Sequence, residues 1–209
     1  TGAEMPDERL VGVVRDLEAR VLRAPTGVQD FWSAMTGGVS AIHLEPGGER
    51  VERLEVDPGW VGDRVTVFDT GIEHHSGMVN WQVIRRRLEG ETATRDALQG
   101  IADAASDCRD RLLAGDDGGV ARAIASEWTH RRRLAPEVCP AELVKIERAA
   151  TAAGTAAFKA CGAGGGGSVL LWHAPGARSE IVAALEAAAP NGRVVATAVA
   201  TGGCRVVLE

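Results

Sequence analysis

The chain has 209 residues, a net charge of −6 and a pI near 5.4, with 45% hydrophobic and 25% charged residues. This is globular composition at a length that buries a core, and it excludes a collagen-like fibre, a disordered tail and a disulfide-held miniature scaffold. The acidic balance predicts no general attraction to nucleic acid or to an anionic membrane, and without an apolar run of roughly 18 residues no transmembrane helix is expected.

The first predicted element is a helix over 7–23, where Leu10, Val13, Val14, Leu17 and Val21 recur at helical spacing and Asp7 and Glu8 favour the first turn. Pro25 stops it. Thr26-Gly27-Val28-Gln29 has the form of a capping box, with Thr26 as N-cap of a short helix through Met35. Gly37-Gly38 ends that helix. Val39–Leu44 and Val51–Val56, joined by Pro46-Gly47-Gly48, predict a hairpin. Pro58–Gly62 is a break and the expected domain boundary. Val65–Phe68 is the next strand, ending at Asp69-Thr70-Gly71.

Helices are predicted over 78–89, 93–113 and 120–133, then from Pro140 to about Ala153. Ala156–Cys161 is extended, and the run Gly162-Ala163-Gly164-Gly165-Gly166-Gly167 follows it. Ser168–His173 is a strand and 178–188 a helix. Val194–Ala200 and Arg205–Leu208 are expected to pair across Thr201-Gly202-Gly203. Strands mixed with helices and closing on an antiparallel pair predict an α+β fold rather than a doubly wound one.

Four features bear on chemistry. The glycine run satisfies G-x-G-x-x-G on paper, but a strand rather than a helix follows it, so it is not a Rossmann fingerprint. Ser168 comes directly after Gly167 with no lysine, so it is not a Walker A loop either. The run is either an anion-binding nest of amides or a loop where backbone packs closely on backbone. Asp30, in the first turn of its helix, suits a base or a hydroxyl-orienting group, and equally a surface carboxylate favoured by the helix dipole. Glu73-His74-His75-Ser76 has no accompanying metal-ligand spacing, so no metal site is predicted. Arg85-Arg86-Arg87 and Arg131-Arg132-Arg133 each fan around a helix, leaving at most one member facing inward. Lys145 and Lys159 are the only lysines among the 23 basic residues. His43 and His173 fall in strand patterns as packing residues. The widely spaced Cys108, Cys139, Cys161 and Cys204 are expected as reduced thiols in a cytoplasmic protein.

Taken together, Ala24-Pro25-Thr26-Gly27-Val28-Gln29-Asp30, Gly37-Gly38-Val39, Asp69-Thr70-Gly71, Leu134-Ala135-Pro136 and Lys159-Ala160-Cys161 with the glycine run resemble the GHMP kinase superfamily. That superfamily comprises galactose, homoserine, mevalonate and phosphomevalonate kinases. The similarity runs along essentially the whole chain and is greatest to the branch of galactokinases and heptose-phosphate kinases. It implies a ferredoxin-like C-terminal domain over 63–209, with helices on one face of an antiparallel sheet, preceded by a remnant of the N-terminal domain over 1–62.

The resemblance also implies roles. Asp30 matches the acidic residue that acts on the acceptor hydroxyl. Gly162, Gly164, Gly165, Gly166, Gly167 and Ser168 match the loop beside the phosphoryl-transfer site. Gly27, Gln29, Asp69, His74, His75 and Ser76 fall where substrate is contacted. The cofactors implied for the intact enzyme are ATP and Mg²⁺, and the partner is a sugar or sugar phosphate. The family's separate Pro-x-x-x-Gly-Leu-Gly-Ser-Ser-type phosphate loop has no counterpart here, and the chain opens Thr1-Gly2 without an initiator Met. An upstream segment is therefore expected, with little or no kinase activity from these residues alone. The alternative expectation is a non-catalytic ligand-binding or dimerisation module, with a homodimer closing over exposed apolar faces.

Overall fold

The first apolar repeat forms α1 (Asp7–Leu22), with Asp7 and Glu8 in its positive first turn, and ends where Arg23 turns left-handed at φ 53°. α2 (Gln29–Thr36) follows, then the antiparallel hairpin β1 (Val39–Glu45) and β2 (Gly48–Leu54), in register from Val39 opposite Leu54 to Glu45 opposite Gly48. The computed structural model describes residues 5–23, 26–73 and 76–205, and these fall into two units, 1–58 with 199–209, and 59–198.

The first unit is built on Val11, Val28 and Trp32, with Phe31, Met35, Ile42 and Val51 packed around them. α1 buries only Val11; Val13, Leu17 and Val21 of its predicted apolar stripe are 43%, 55% and 80% exposed. Most of the second strand of the expected C-terminal hairpin, 206–208, lies outside the described residues, and 196–200 form no strand. Instead residues 199–205 run back along α2 and β1: Gly38 N–H donates to the Ala200 carbonyl, Arg53 Nη2 to that of Thr201, and Cys204 N–H to that of Ala34. The glycines make this approach feasible. A Cβ at Gly37 would stand 2.5 Å from the Gly202 carbonyl carbon, and one at Gly203 would overlap the Met35 carbonyl.

In the second unit, α3 (Pro58–Gly62) leads into β3 (Val65–Asp69). Four helices follow: α4 (Ser76–Leu88), α5 (Thr92–Ala114), α6 (Asp117–Arg131) and, after a 3₁₀ turn at Pro136–Val138, α7 (Ala141–Ala152). Then come β4 (Thr155–Ala160), β5 (Ser168–His173), α8 (Arg178–Ala188) and the short β6 (Arg193–Val195). The sheet order is β4-β5-β3-β6, antiparallel throughout. A first strand between the third and the last is the split arrangement of the ferredoxin-like fold, so the predicted α+β class holds.

Alternation along β5 divides the core. Val169 and Leu171 join Phe68, Phe158 and Ala160 against Trp128 of α6, Leu143 and Ile146 of α7, and Ile181 and Leu185 of α8. Leu170 and Trp172 join Val120, Ala121 and Ile124 of α6 with Cys108 and Leu112 of α5. His173 is a satisfied core residue: its Nδ1–H donates to the Ala174 carbonyl, leaving Nε2 to accept from the Thr66 hydroxyl at 2.8 Å. Among the described residues, no helix is long and apolar enough to cross a membrane.

Candidate active site

The candidate residues form one group in each unit. In the first unit, Gly27, Gln29 and Asp30 lie together and exposed at the start of α2. The predicted capping box does not form. Val28 is the N-cap, no side chain caps the helix, and the Thr26 hydroxyl has no hydrogen-bond partner among the described residues. The helix takes its N-cap two residues later than Thr26, which puts Gln29 at the first helical position with its side chain folded back over Gly27. The first turn of α2 keeps open amides beside the Asp30 carboxylate.

In the second unit the glycine run joins β4 to β5 and is anchored at three points. Gly165 N–H donates to the Val138 carbonyl at 2.8 Å, and Gly167 N–H to that of Ile72 at 3.0 Å. The Gly167 carbonyl accepts from both the N–H and the hydroxyl of buried Thr70, at 2.9 and 2.7 Å. The third anchor is Arg131, whose Nη1 donates to the Gly162 carbonyl at 3.1 Å. Gly162, Gly164, Gly165, Gly166 and Gly167 all have positive φ. A Cβ at Gly164 would stand 2.7 Å from the Val138 carbonyl oxygen, and one at Gly166 2.6 Å from that of Ile72. Both backbone conformation and close packing therefore require glycine here. The amides of Ala163 and Gly166 donate to no group among the described residues.

Ser168 opens β5 directly opposite Asp69, the last residue of β3. Asp69 Oδ1 accepts from Gly71 N–H at 3.1 Å, an Asx turn that aims the following segment, and its Oδ2 lies 3.6 Å from Arg193 Nε. The glycine loop, Ser168, Asp69 and Thr70 are therefore brought to one end of the sheet. His74 and His75 lie outside the described residues, and Ser76 enters only as the first residue of α4.

Of the two arginine runs, one member of each turns inward. Arg86 Nη2 donates to the Leu134 carbonyl, and Arg131 reaches Gly162. Glu127, 7% exposed, accepts from Arg131 Nε at 2.6 Å and pairs with Lys159 Nζ at 3.1 Å. The i,i+4 spacing of Glu127 and Arg131 is legible in the sequence. The contacts made by Val138, Ile72 and Thr70 are not, because they join segments far apart in the chain.

All four cysteines are free. Burial pushes the Cys108 and Cys139 thiols up, which favours their protonated form. No group of three His, Cys, Asp or Glu among the described residues is placed to hold a metal. A phosphate does fit the glycine loop, which offers unengaged amides and no side-chain bulk.

Residues 108–191 match the family model described as GHMP kinases C terminal. This segment is similar to the C-terminal domain of GHMP kinases. Solved GHMP kinases share its fold. The galactokinase of Lactococcus lactis complexed with galactose superimposes with a TM-score of 0.72 at 14% identity, over 98% of this chain and 62% of that one. The mevalonate kinase of L. major in complex with R-mevalonate gives 0.71 at 18%, over 90% and 56%. A D-glycero-D-manno-heptose 1-phosphate kinase from Bacteroides thetaiotaomicron gives 0.68 at 21%, over 98% and 57%. The chain thus spans little more than half the length of these kinases. No curated protein matches it significantly.

Proposed function

We propose that the chain is part of an ATP-dependent GHMP kinase that phosphorylates a hydroxyl of a sugar or sugar phosphate. The observation that carries this reading is the glycine loop, fixed by Arg131, Val138 and Ile72 at the sheet end within the segment that matches the GHMP kinase C-terminal family. ATP with Mg²⁺ supplies the transferable phosphoryl group. Asp30 orients the acceptor hydroxyl and takes its proton, which leaves the oxygen nucleophilic. The open amides of the glycine loop donate to phosphate oxygens, where no side chain stands in the way. Gly27 and Gln29 beside Asp30, and Asp69, His74, His75 and Ser76 around the loop after β3, contact the acceptor.

The test is a screen of sugars and sugar phosphates with Mg-ATP, reading ADP and the phosphorylated product. In the protein that turns over, Asp30→Asn is expected to lower kcat by at least about 100-fold while KM changes by less than about threefold. Unchanged turnover removes Asp30 from the mechanism. A second reading, self-association, is favoured by the exposed stripe Val13, Leu17 and Val21 on α1. Sedimentation velocity over a range of concentrations tests it; a mass that stays that of one chain overturns it.

A further inference from the structure

The three anchors of the glycine loop differ in kind. Gly164 and Gly166 are buried and wedged against the backbone of Val138 and Ile72, and with the hydrogen bonds made by Gly165 and Gly167 this packing fixes that half of the loop. Gly162 is exposed, and a Cβ there would meet nothing within 4 Å. Its orientation is set instead by the 3.1 Å hydrogen bond from Arg131 Nη1 to its carbonyl. Arg131 is in turn held by Glu127, one helical turn earlier, and the same nearly buried carboxylate pairs with Lys159 in β4, three residues before the loop. Two cations on one carboxylate leave the guanidinium fork a single aim.

There is no cis peptide bond among the described residues, and in a trans peptide the carbonyl and the following N–H point in opposite directions. With the Gly162 carbonyl drawn toward Arg131 at the end of α6, the Ala163 N–H faces the other way, and it donates to no group among the described residues. We infer that Glu127 and Arg131 are positioning residues of the glycine loop, turning the Gly162–Ala163 peptide so that the Ala163 N–H is presented to a phosphate oxygen. The identity of that oxyanion rests on the kinase reading; the orientation of the peptide does not.

The experiment uses the full ¹⁵N-labelled chain. The residual dipolar coupling of the Ala163 N–H reports the direction of that bond. In Arg131→Met it is expected to collapse toward zero, while the couplings of Gly165 and Gly167 and of strands β4 and β5 stay in place. Glu127→Gln moves it the same way. Arg131→Lys rescues it only in part, because one ammonium cannot both pair with Glu127 and reach the Gly162 carbonyl. An unchanged Ala163 coupling in Arg131→Met overturns the inference, and so does a change spread equally over the sheet, which marks a general structural role. A second arm titrates inorganic pyrophosphate. The Ala163 resonance is expected to move in the unsubstituted chain, with affinity about tenfold weaker in Arg131→Met. If pyrophosphate moves no loop resonance while the coupling result holds, the phosphate assignment fails and the positioning role stands.

Discussion

Asp116 shows how much one side chain settles locally. As N-cap of α6 its carboxylate accepts from Gly119 N–H at 2.9 Å, and that bond, aided by Arg122 and Arg111, holds its pKa below the usual carboxylate range. A lowered folded pKa contributes stability that is fully present above the unfolded value of about 3.9 and is lost as the pH falls through the folded one. Asp116→Ala is therefore expected to lower Tm at neutral pH, with the gap from the unsubstituted protein narrowing below about pH 4. Asp116→Asn, which keeps the acceptor without the charge, is expected to lose an intermediate amount at neutral pH and little at acid pH. A gap that is constant from neutral to acid pH would assign the effect to something other than the charged cap. Asp30 occupies a comparable first-turn position in α2 but sits beside uncapped amides instead of capping them.

At the scale of elements, the glycine run separates two reasons for using the same residue. Gly162 needs glycine only for its φ of 62°, so Gly162→Ala is expected to cost about 1 kcal/mol. Gly164 has a φ of 81° and also stands where a Cβ would meet the Val138 carbonyl at 2.7 Å, so Gly164→Ala is expected to cost about 3 kcal/mol. Urea titration of both variants checks the order, and equal losses would mean that the loop relaxes away from Val138. The sequence reading left open whether the run served close packing or anion binding. The geometry supplies the packing, and it leaves amides available for the other role. The elements themselves were mostly legible: α1, the β1–β2 hairpin, α5, α7 and β5 follow from apolar spacing and from Gly and Pro punctuation. The capping box at Thr26 was misread because the helix takes Val28 as its N-cap, which puts Gln29 at the first helical position and not the third. Thr201-Gly202-Gly203 looks like a hairpin turn in the sequence, and its glycines serve a close approach to α2.

For the whole molecule, the weight of the core lies in the second unit, where Phe68, Leu143, Leu171, Ile181 and Leu185 are fully buried between the sheet and its helices. A fragment of residues 59–198 is expected to unfold cooperatively by near-UV circular dichroism, and Leu143→Ala within it to cost about 3 kcal/mol. A broad, non-cooperative melt would show that this unit depends on the rest of the chain. The first unit has a smaller core of Val11, Val28 and Trp32 and carries the exposed stripe of α1.

By itself the sequence determined the α+β class, most helices and strands, and the residue types at the candidate site, because periodicity, turn chemistry and glycine content are properties of neighbours in the chain. It also held the Glu127–Arg131 pair, which helical spacing brings together. Only the tertiary structure decided which backbone the glycines approach, that residues 199–205 return to α2 and β1, and that Arg131 ends on the Gly162 carbonyl. Those contacts join segments up to about 170 residues apart, and no local pattern encodes them. They are set when the sheet and its helices close on a shared core and bring distant backbone within hydrogen-bond reach.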